Sequence, residues 1–136
     1  MSITKDYEDK IYIHFQYIYN IENKVDQEIK KYVNKCKDTD GFVTDYKIIE
    51  IFNTSEISFS FIIVNVKYQL ILTVVKKDDI ITLPVVKKDE NLTILQKNPI
   101  KAIIMGKNDL KGDVTCIVKE IKYKNDVILC ICDLLL

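Results

Sequence analysis

The fold is decided by residues 41–86, which read GFVTDYKIIEIFNTSEISFSFIIVNVKYQLILTVVKKDDIITLPVV. Branched and aromatic residues dominate this stretch, as they do in half-buried strands. It predicts strands at residues 42–52, 57–64 and 66–75, with the polar residues 53–56 connecting the first two. Because only Asn65 separates the second strand from the third, one long bent strand is the alternative for that pair.

The residues before this stretch predict one strand and one helix. In residues 10–19 the apolar side chains recur with a period of two, and the aromatic residues are concentrated on one side, which indicates a half-buried strand. From Ile21 to Cys36 the apolar positions are spaced by three and four, which indicates an amphipathic helix. A turn at residues 38–41 then ends in Gly41. Residues 1–75 are therefore predicted as a strand, a helix and an antiparallel sheet.

The remaining residues, 76–136, contain strand candidates and no convincing helix. The candidates lie at residues 78–86, 92–96, 100–105, 113–123 and 127–134, separated by polar turns at 87–91 and 124–126 and by a longer connection at 107–112. Five short strands favour a Greek-key barrel of OB type, because closure removes most exposed sheet edges. The predicted fold class is α+β, a strand-helix-sheet domain followed by a five-stranded barrel.

The composition is typical of a folded protein, with 48% hydrophobic and 29% charged residues in 136. Its apolar runs are far shorter than the roughly 20 residues of a membrane span, and no signal-peptide pattern begins the chain, so we expect a cytosolic protein. All 20 basic residues are lysine, and the many Lys, Ile, Asn and Tyr residues have AT-rich codons, which indicates an AT-rich genome such as that of a virus, a cytoplasmic element or a parasite. The formal net charge of 0 gives no overall field that attracts nucleic acid.

Few residues could carry catalysis or bind a metal. His14 is the only histidine, and its place among aromatic residues in an alternating strand favours a structural role. Cys130 and Cys132 would share a strand face, yet reduced thiols are a better interpretation than a zinc site, because no C-x-x-C pair is present. The glycine-rich phosphate-binding motifs and the G-x-S-x-G motif are absent. We therefore expect no enzymatic activity, no cofactor and no metal.

The order of these elements resembles that of the small stalk subunit of multisubunit RNA polymerases, which is the seventh subunit of the eukaryotic nuclear enzymes and has a counterpart in the archaeal enzyme. Four local motifs are similar to the family: Gly41-Phe42-Val43, the V-x-Y of Val66 and Tyr68, the KDDII of residues 77–81 and the KGDV of residues 111–114. In this family a docking domain precedes an OB-fold barrel of S1 type, which implies domains at residues 1–75 and 76–136. The chain departs from the family at Lys77, where glycine is frequent.

The resemblance implies a noncatalytic subunit of a DNA-directed RNA polymerase that docks at the base of the clamp. The residues that correspond to the docking end are Tyr19, Asn20, Ile21, Asn53, Thr54, Ser55 and Glu56. The implied partners are the large catalytic subunits, with a second stalk subunit and nascent RNA as further candidates. The expected location is cytoplasmic, in a viral factory, a virion or a cytoplasmic element, with the nucleus as the alternative.

Lysines of the barrel form a second candidate surface. Those that could bracket the barrel mouth are Lys76, Lys77, Lys87 and Lys88, with Lys97, Lys101 and Lys107 on the far side. Lysine contacts with phosphate would give a salt-dependent affinity, although an ordinary solvated surface is the simpler interpretation. Residues 92–95 and 100–104 contain no aromatic side chain on which bases could stack, which predicts weak RNA binding or none. The alternatives to a polymerase subunit are a free-standing OB-fold RNA-binding protein and a structural viral protein.

Overall fold

The computed structural model describes residues 1–106 and 109–135, and most of them lie in strands. The strands are β1 (Ser2–His14), β2 (Cys36–Lys37), β3 (Gly41–Ser58), β4 (Phe61–Thr73), β5 (Ile80–Asp89), β6 (Leu92–Lys97), β7 (Ile100–Met105), β8 (Asp113–Lys124) and β9 (Val127–Leu134). A short 3-10 helix at Phe15–Tyr17 and the helix α1 (Ile21–Lys30) lie between β1 and β2. No helix in these ranges is long and apolar enough to cross a membrane.

The chain folds as two compact units. The first, here called the sheet unit, comprises Ser2–Asn34 and Val43–Leu72. The second, here called the barrel unit, comprises Met1, Lys35–Phe42 and the described chain from Thr73 on. The segment Lys35–Phe42 therefore belongs with the barrel, although a single division of the sequence at residue 75 assigns it to the first domain.

The predicted five-stranded barrel is confirmed. Its strands form a closed ring in the order β5-β6-β7-β9-β8, with β8 pairing back to β5. Every neighbouring pair is antiparallel except β7 and β9, which are parallel. This combination of a closed ring, five short strands and one parallel pair is that of an OB-like barrel. The predicted bounds of β7 and β9 agree with the structure at both ends.

Alternation along the barrel strands separates its core from its outer wall. The buried side chains of β6, β7 and β9 are Thr93, Leu95, Ala102, Ile104, Ile128, Cys130 and Cys132. They pack with Leu83 of β5, with Val114, Cys116 and Val118 of β8, and with Phe42 and Val75. Since successive residues of a strand point to opposite faces, the residues between these buried positions lie on the outer wall.

The sheet unit contains an antiparallel sheet in which β4 lies between β1 and β3. Alternate residues of β4 are buried, from Ile62 to Leu72, and Val25 and Ile29 of α1 are fully or almost fully buried. Tyr68 of β4 is also buried, and the rings of Tyr7 and Tyr32 stack on it with centroids 5.5 and 6.1 Å away. The helix and the central strand therefore supply most of this core.

The first strand and the helix are both shorter at their C-terminal ends than predicted. The prediction of a strand to residue 19 is wrong, because β1 ends at His14, whose Nδ1 accepts a hydrogen bond from the Gln16 N–H and caps the 3-10 helix. The helix ends at Lys30 rather than near Cys36. Asn34 adopts a left-handed φ of 64°, and Cys36 and Lys37 then pair with Phe42 and Gly41 in a short hairpin.

The predicted connection at residues 53–56 is also wrong, because these residues lie within β3. The turn comes at residues 59–60 instead. Asn53 and Thr54 use their side chains to accept hydrogen bonds from the N–H groups of Ser55 and Glu56, so these polar residues satisfy backbone donors within the strand. The alternative of one long strand across Asn65 is confirmed, as β4 runs without interruption from Phe61 to Thr73.

The phenol of Tyr68 links the sheet core to β1 and predicts an alkaline sensitivity. Its O–H donates a hydrogen bond to the Asp9 carboxylate, and burial together with this bond raises the pKa of Tyr68 above its ordinary value of about 10. The unfolded chain releases this proton near pH ~10 while the folded protein retains it. The stabilising contribution is therefore complete below that pH and is lost as the pH rises above it.

We expect the free energy of unfolding to fall as the pH rises above ~10, and to fall less steeply in Tyr68→Phe. Urea unfolding at several alkaline pH values measures both slopes. Tyr46, Tyr123 and the buried thiols Cys130 and Cys132 also have raised pKa values, so Tyr68→Phe reduces the slope without abolishing it. Tyr19→Phe is the matched control, because the Tyr19 side chain is 95% exposed. Equal slopes in the wild type and in Tyr68→Phe would show that the Tyr68 phenol does not cause the loss of stability.

Candidate functional site

The most distinctive surface is a group of exposed apolar side chains at one end of the sheet unit, here called the tip. Phe59 of the β3–β4 turn is 97% exposed, Tyr19 is 95% exposed and Ile57 is 66% exposed. Smaller exposed fractions belong to Ile18, Phe15 and Phe61. Large apolar side chains that are exposed together indicate a protein or ligand interaction surface.

Local contacts hold the tip together. The Phe15 N–H donates a hydrogen bond of 2.9 Å to the Ser60 carbonyl, which joins the end of β1 to the β3–β4 turn. The His14 ring packs edge-on against Phe61 with centroids 5.5 Å apart, and Tyr12 lies 6.5 Å from the same ring. His14 therefore has a structural place here, as the sequence predicted. The turn and the segment after β1 form one surface.

The predicted docking residues lie in two parts of the sheet unit. Tyr19, Asn20 and Ile21 lead into α1, and residues 18–23 line a shallow cavity of about 300 Å³. Asn53, Thr54, Ser55 and Glu56 lie near the end of β3 instead of forming the turn.

The side chains of the second group are largely occupied within the unit. Thr54 Oγ1 donates a hydrogen bond of 2.7 Å to the Ile63 carbonyl, and Glu56 pairs with Lys10 at 3.7 Å. Ser55 has a left-handed φ of 60°. These residues therefore stabilise the part of β3 that leads into the β3–β4 turn.

Phe59 and Ile57 are the tip residues that sequence reasoning missed. They belong to the sequence ISFSF at residues 57–61, whose alternation predicts a half-buried strand. The available signal was the pair of serines around Phe59, since serine is common in turns. Phe59 has a left-handed φ of 52°, which is uncommon for a bulky residue.

The predicted RNA-binding lysines are spread over the barrel unit. Lys76 and Lys77 precede β5 while Lys87 and Lys88 lie near its end, and the stretch of β5 from Ile80 to Lys87 alone spans about 23 Å at about 3.3 Å per residue. Lys101 lies on β7, opposite Gln96 of β6. Lys97 ends β6, and Lys107 lies outside the described residues. The two pairs therefore do not form one cluster.

The outer wall of the barrel around Lys101 is aliphatic. The side chains that alternate with the buried residues of β6, β7 and β9 include Leu92, Ile94, Ile103, Met105, Leu129 and Ile131, here called the aliphatic face. OB-type barrels commonly bind oligonucleotides on this part of the wall. Stacking of bases on aromatic rings is a main source of such affinity, and the aliphatic face has no ring.

Three of the four cysteines, Cys116, Cys130 and Cys132, are buried thiols, and Cys36 is partly exposed. Cys130 and Cys132 share the inner face of β9, as the sequence predicted, and pack in the barrel core with Cys116. Burial raises the pKa of Cys130 to about 11, and a hydrogen bond with Cys116 together with burial raises the pKa of Cys132. Across residues 1–106 and 109–135 no group of three or more His, Cys, Asp or Glu side chains could hold a metal ion.

No protein-family model matches this chain, and no curated protein matches it significantly.

Proposed function

We propose that this protein is a noncatalytic subunit of a DNA-directed RNA polymerase that docks through the tip of its sheet unit. The observation that carries the proposal is the nearly complete exposure of two aromatic side chains, Phe59 and Tyr19, in a unit that precedes an OB-like barrel. This order of a docking unit and a barrel is the one that the resemblance to the stalk subunits implies. Within this proposal the OB-like barrel is of the S1 type.

The chemistry of the tip supports docking into a pocket of another protein. Aromatic side chains supply a large contact area at little cost in conformational entropy, and they are frequent at the energetic centre of interfaces. The Lys10–Glu56 pair, which joins β1 to β3, supplies polar groups for the rim of such a contact. The large catalytic subunits are the proposed partners, and the base of the clamp is the proposed docking site.

Within this proposal the protein acts by binding and not by chemistry. A wedge that binds the closed clamp more tightly than the open one shifts the clamp toward closure, since a ligand shifts an equilibrium only by its differential affinity. The barrel then offers a surface to initiation factors or emerging RNA. A second stalk subunit is a further candidate partner, and the proposed location is the cytoplasm.

Replacing both aromatic anchors tests the docking surface. We expect Tyr19→Ser/Phe59→Ser to lower recovery of the large catalytic subunits about tenfold or more, because interface aromatics dominate binding energy. The measurement is a pull-down of the tagged full chain from its native host at moderate salt, with mass spectrometry of what is recovered. Near-equal amounts of those subunits are expected with the wild type.

The matched control is Ile49→Ser, which removes an apolar side chain that is 49% exposed on β3 of the same unit and should leave recovery unchanged. Undiminished recovery with the double variant would refute docking through the tip. Failure of the wild type to recover polymerase subunits would favour the structural viral protein, or the RNA-binding protein if RNA is recovered instead.

A free-standing RNA-binding protein is the second candidate, favoured by the OB-like barrel and the adjacent lysines Lys87 and Lys88. If both lysines contact phosphates, Lys87→Ala/Lys88→Ala should reduce the slope of log affinity against log salt by about 1.4, since each contact to single strands contributes about 0.7. Fluorescence anisotropy with a single-stranded oligoribonucleotide at several salt concentrations measures the slope. Lys30→Ala/Lys31→Ala, an exposed adjacent pair at the end of α1, is the control. An unaltered slope would exclude this surface.

A further inference from the structure

The aliphatic face is a continuous apolar surface formed by three neighbouring strands. The register places Leu92 of β6 opposite Met105 of β7 and Ile94 opposite Ile103. Ile103 is in turn opposite Ile131 of β9. Because cross-strand partners on one face contact each other, these side chains form rows across the wall.

This surface lies outside the core that the barrel needs. Met105 is 60% exposed and Ile131 is 39% exposed, while the other members of the aliphatic face are half-buried. A barrel interior is filled by the inward half of each strand, so outward aliphatic side chains on three adjacent strands do not stabilise that interior. Such a patch indicates an interaction with another apolar surface.

Charged side chains of opposite sign border the two ends of the aliphatic face. At one end lie Asp89, opposite Leu92, and the exposed Asp133 of β9. At the other end lie two lysines that flank Leu129 of β9. Lys101 of β7 is opposite Leu129 in one neighbouring strand, and Lys122 of β8 is opposite it in the other. The aliphatic face therefore extends from a basic end to an acidic end, and the apolar rows lie between them.

The central row has a charged side chain at each edge. Lys87 of β5 is opposite Ile94 at one edge of this row, and Glu120 of β8 is opposite Ile131 at the other edge. A face with one basic end and one acidic end can complement itself when a second copy is turned end for end, because each basic end then meets an acidic end. The formal net charge of 0 adds no repulsion between two copies.

We propose that the aliphatic face binds the aliphatic face of a second copy of this chain. In the resulting twofold dimer the strands of one copy run opposite to those of its partner, so each basic end meets the other copy's acidic end. Lys122 then lies near Asp133 of the partner subunit, and the contact occurs twice because a twofold interface is made of the same patch on both copies. This inference does not depend on the docking of the tip.

The area of the aliphatic face determines how tightly the dimer is expected to bind. Stable dimers commonly bury ~800 Å² on each partner, and a face of six aliphatic side chains with a charged border falls at or below that size. We therefore expect a reversible dimer with a dissociation constant on the order of micromolar. The apparent mass should rise with concentration from the 15.9 kDa of one chain toward about twice that value.

Charge reversal provides a decisive test by sedimentation velocity of the full chain from about 1 to about 200 μM at low salt. Asp133→Lys alone and Lys122→Asp alone each place like charges together twice, and each should raise the dissociation constant about tenfold or more. An equimolar mixture of the two variants should dimerise again, because both contacts in the mixed dimer join opposite charges. The double variant Asp133→Lys/Lys122→Asp should also dimerise by itself.

The matched control pair is Lys47→Asp and Glu50→Lys, which reverse exposed charges on β3 of the sheet unit and should leave dimerisation unchanged. Circular dichroism verifies that each variant is folded. A wild type that stays at the mass of one chain at every concentration would overturn the proposal and assign the face to a different protein. Dimerisation that persists in both single reversals, or no association in the mixture, would also overturn it.

Discussion

The backbone pairing of β5 with β8 is the constraint on which the barrel depends. Five registered pairs, from Ile80 with Ile117 to Pro84 with Asp113, join the first strand of the barrel to the fourth and close the ring. Closure satisfies the hydrogen bonds of edges that would otherwise be open to pairing with other chains. It also fixes which half of each strand faces inward, since a slip of one residue would exchange the two faces. The composition of the outer wall is thus set by the same register that builds the core.

The barrel could be predicted from the sequence because its signals are local. Each strand is short, alternates clearly and is bounded by polar residues, so the predicted bounds of β7 and β9 are right at both ends. The parallel pairing of those two strands could not be predicted in the same way. It joins Ile100 to Ile128 across the whole of β8, and no local pattern specifies such a contact.

The sheet unit is harder to predict because tertiary contacts override its local signals. Asn53 to Glu56 have the composition of a turn, yet Thr54 donates a hydrogen bond to the Ile63 carbonyl on β4 and the strand continues. The turn a few residues farther on contains Phe59, a residue that turn preferences do not favour. For the candidate site, the resemblance indicated Tyr19, while the local alternation did not indicate Phe59. Its exposure follows from where the hairpin ends, and alternation alone cannot specify that position.

The tip and the aliphatic face differ in the kind of contact that each can make. A non-glycine residue held at a positive φ costs of order ~1 kcal/mol, so Phe59 occupies a conformation that the turn maintains against its own preference. The turn thereby holds the Phe59 backbone so that its ring projects into solvent, which suits insertion into a pocket of a partner. The aliphatic face is instead a sheet surface of flexible side chains with a border of both charges, which suits a broad, flat and reversible contact. Because neither surface uses a residue of the other, a loss of binding at one of them can be measured without disturbing the other.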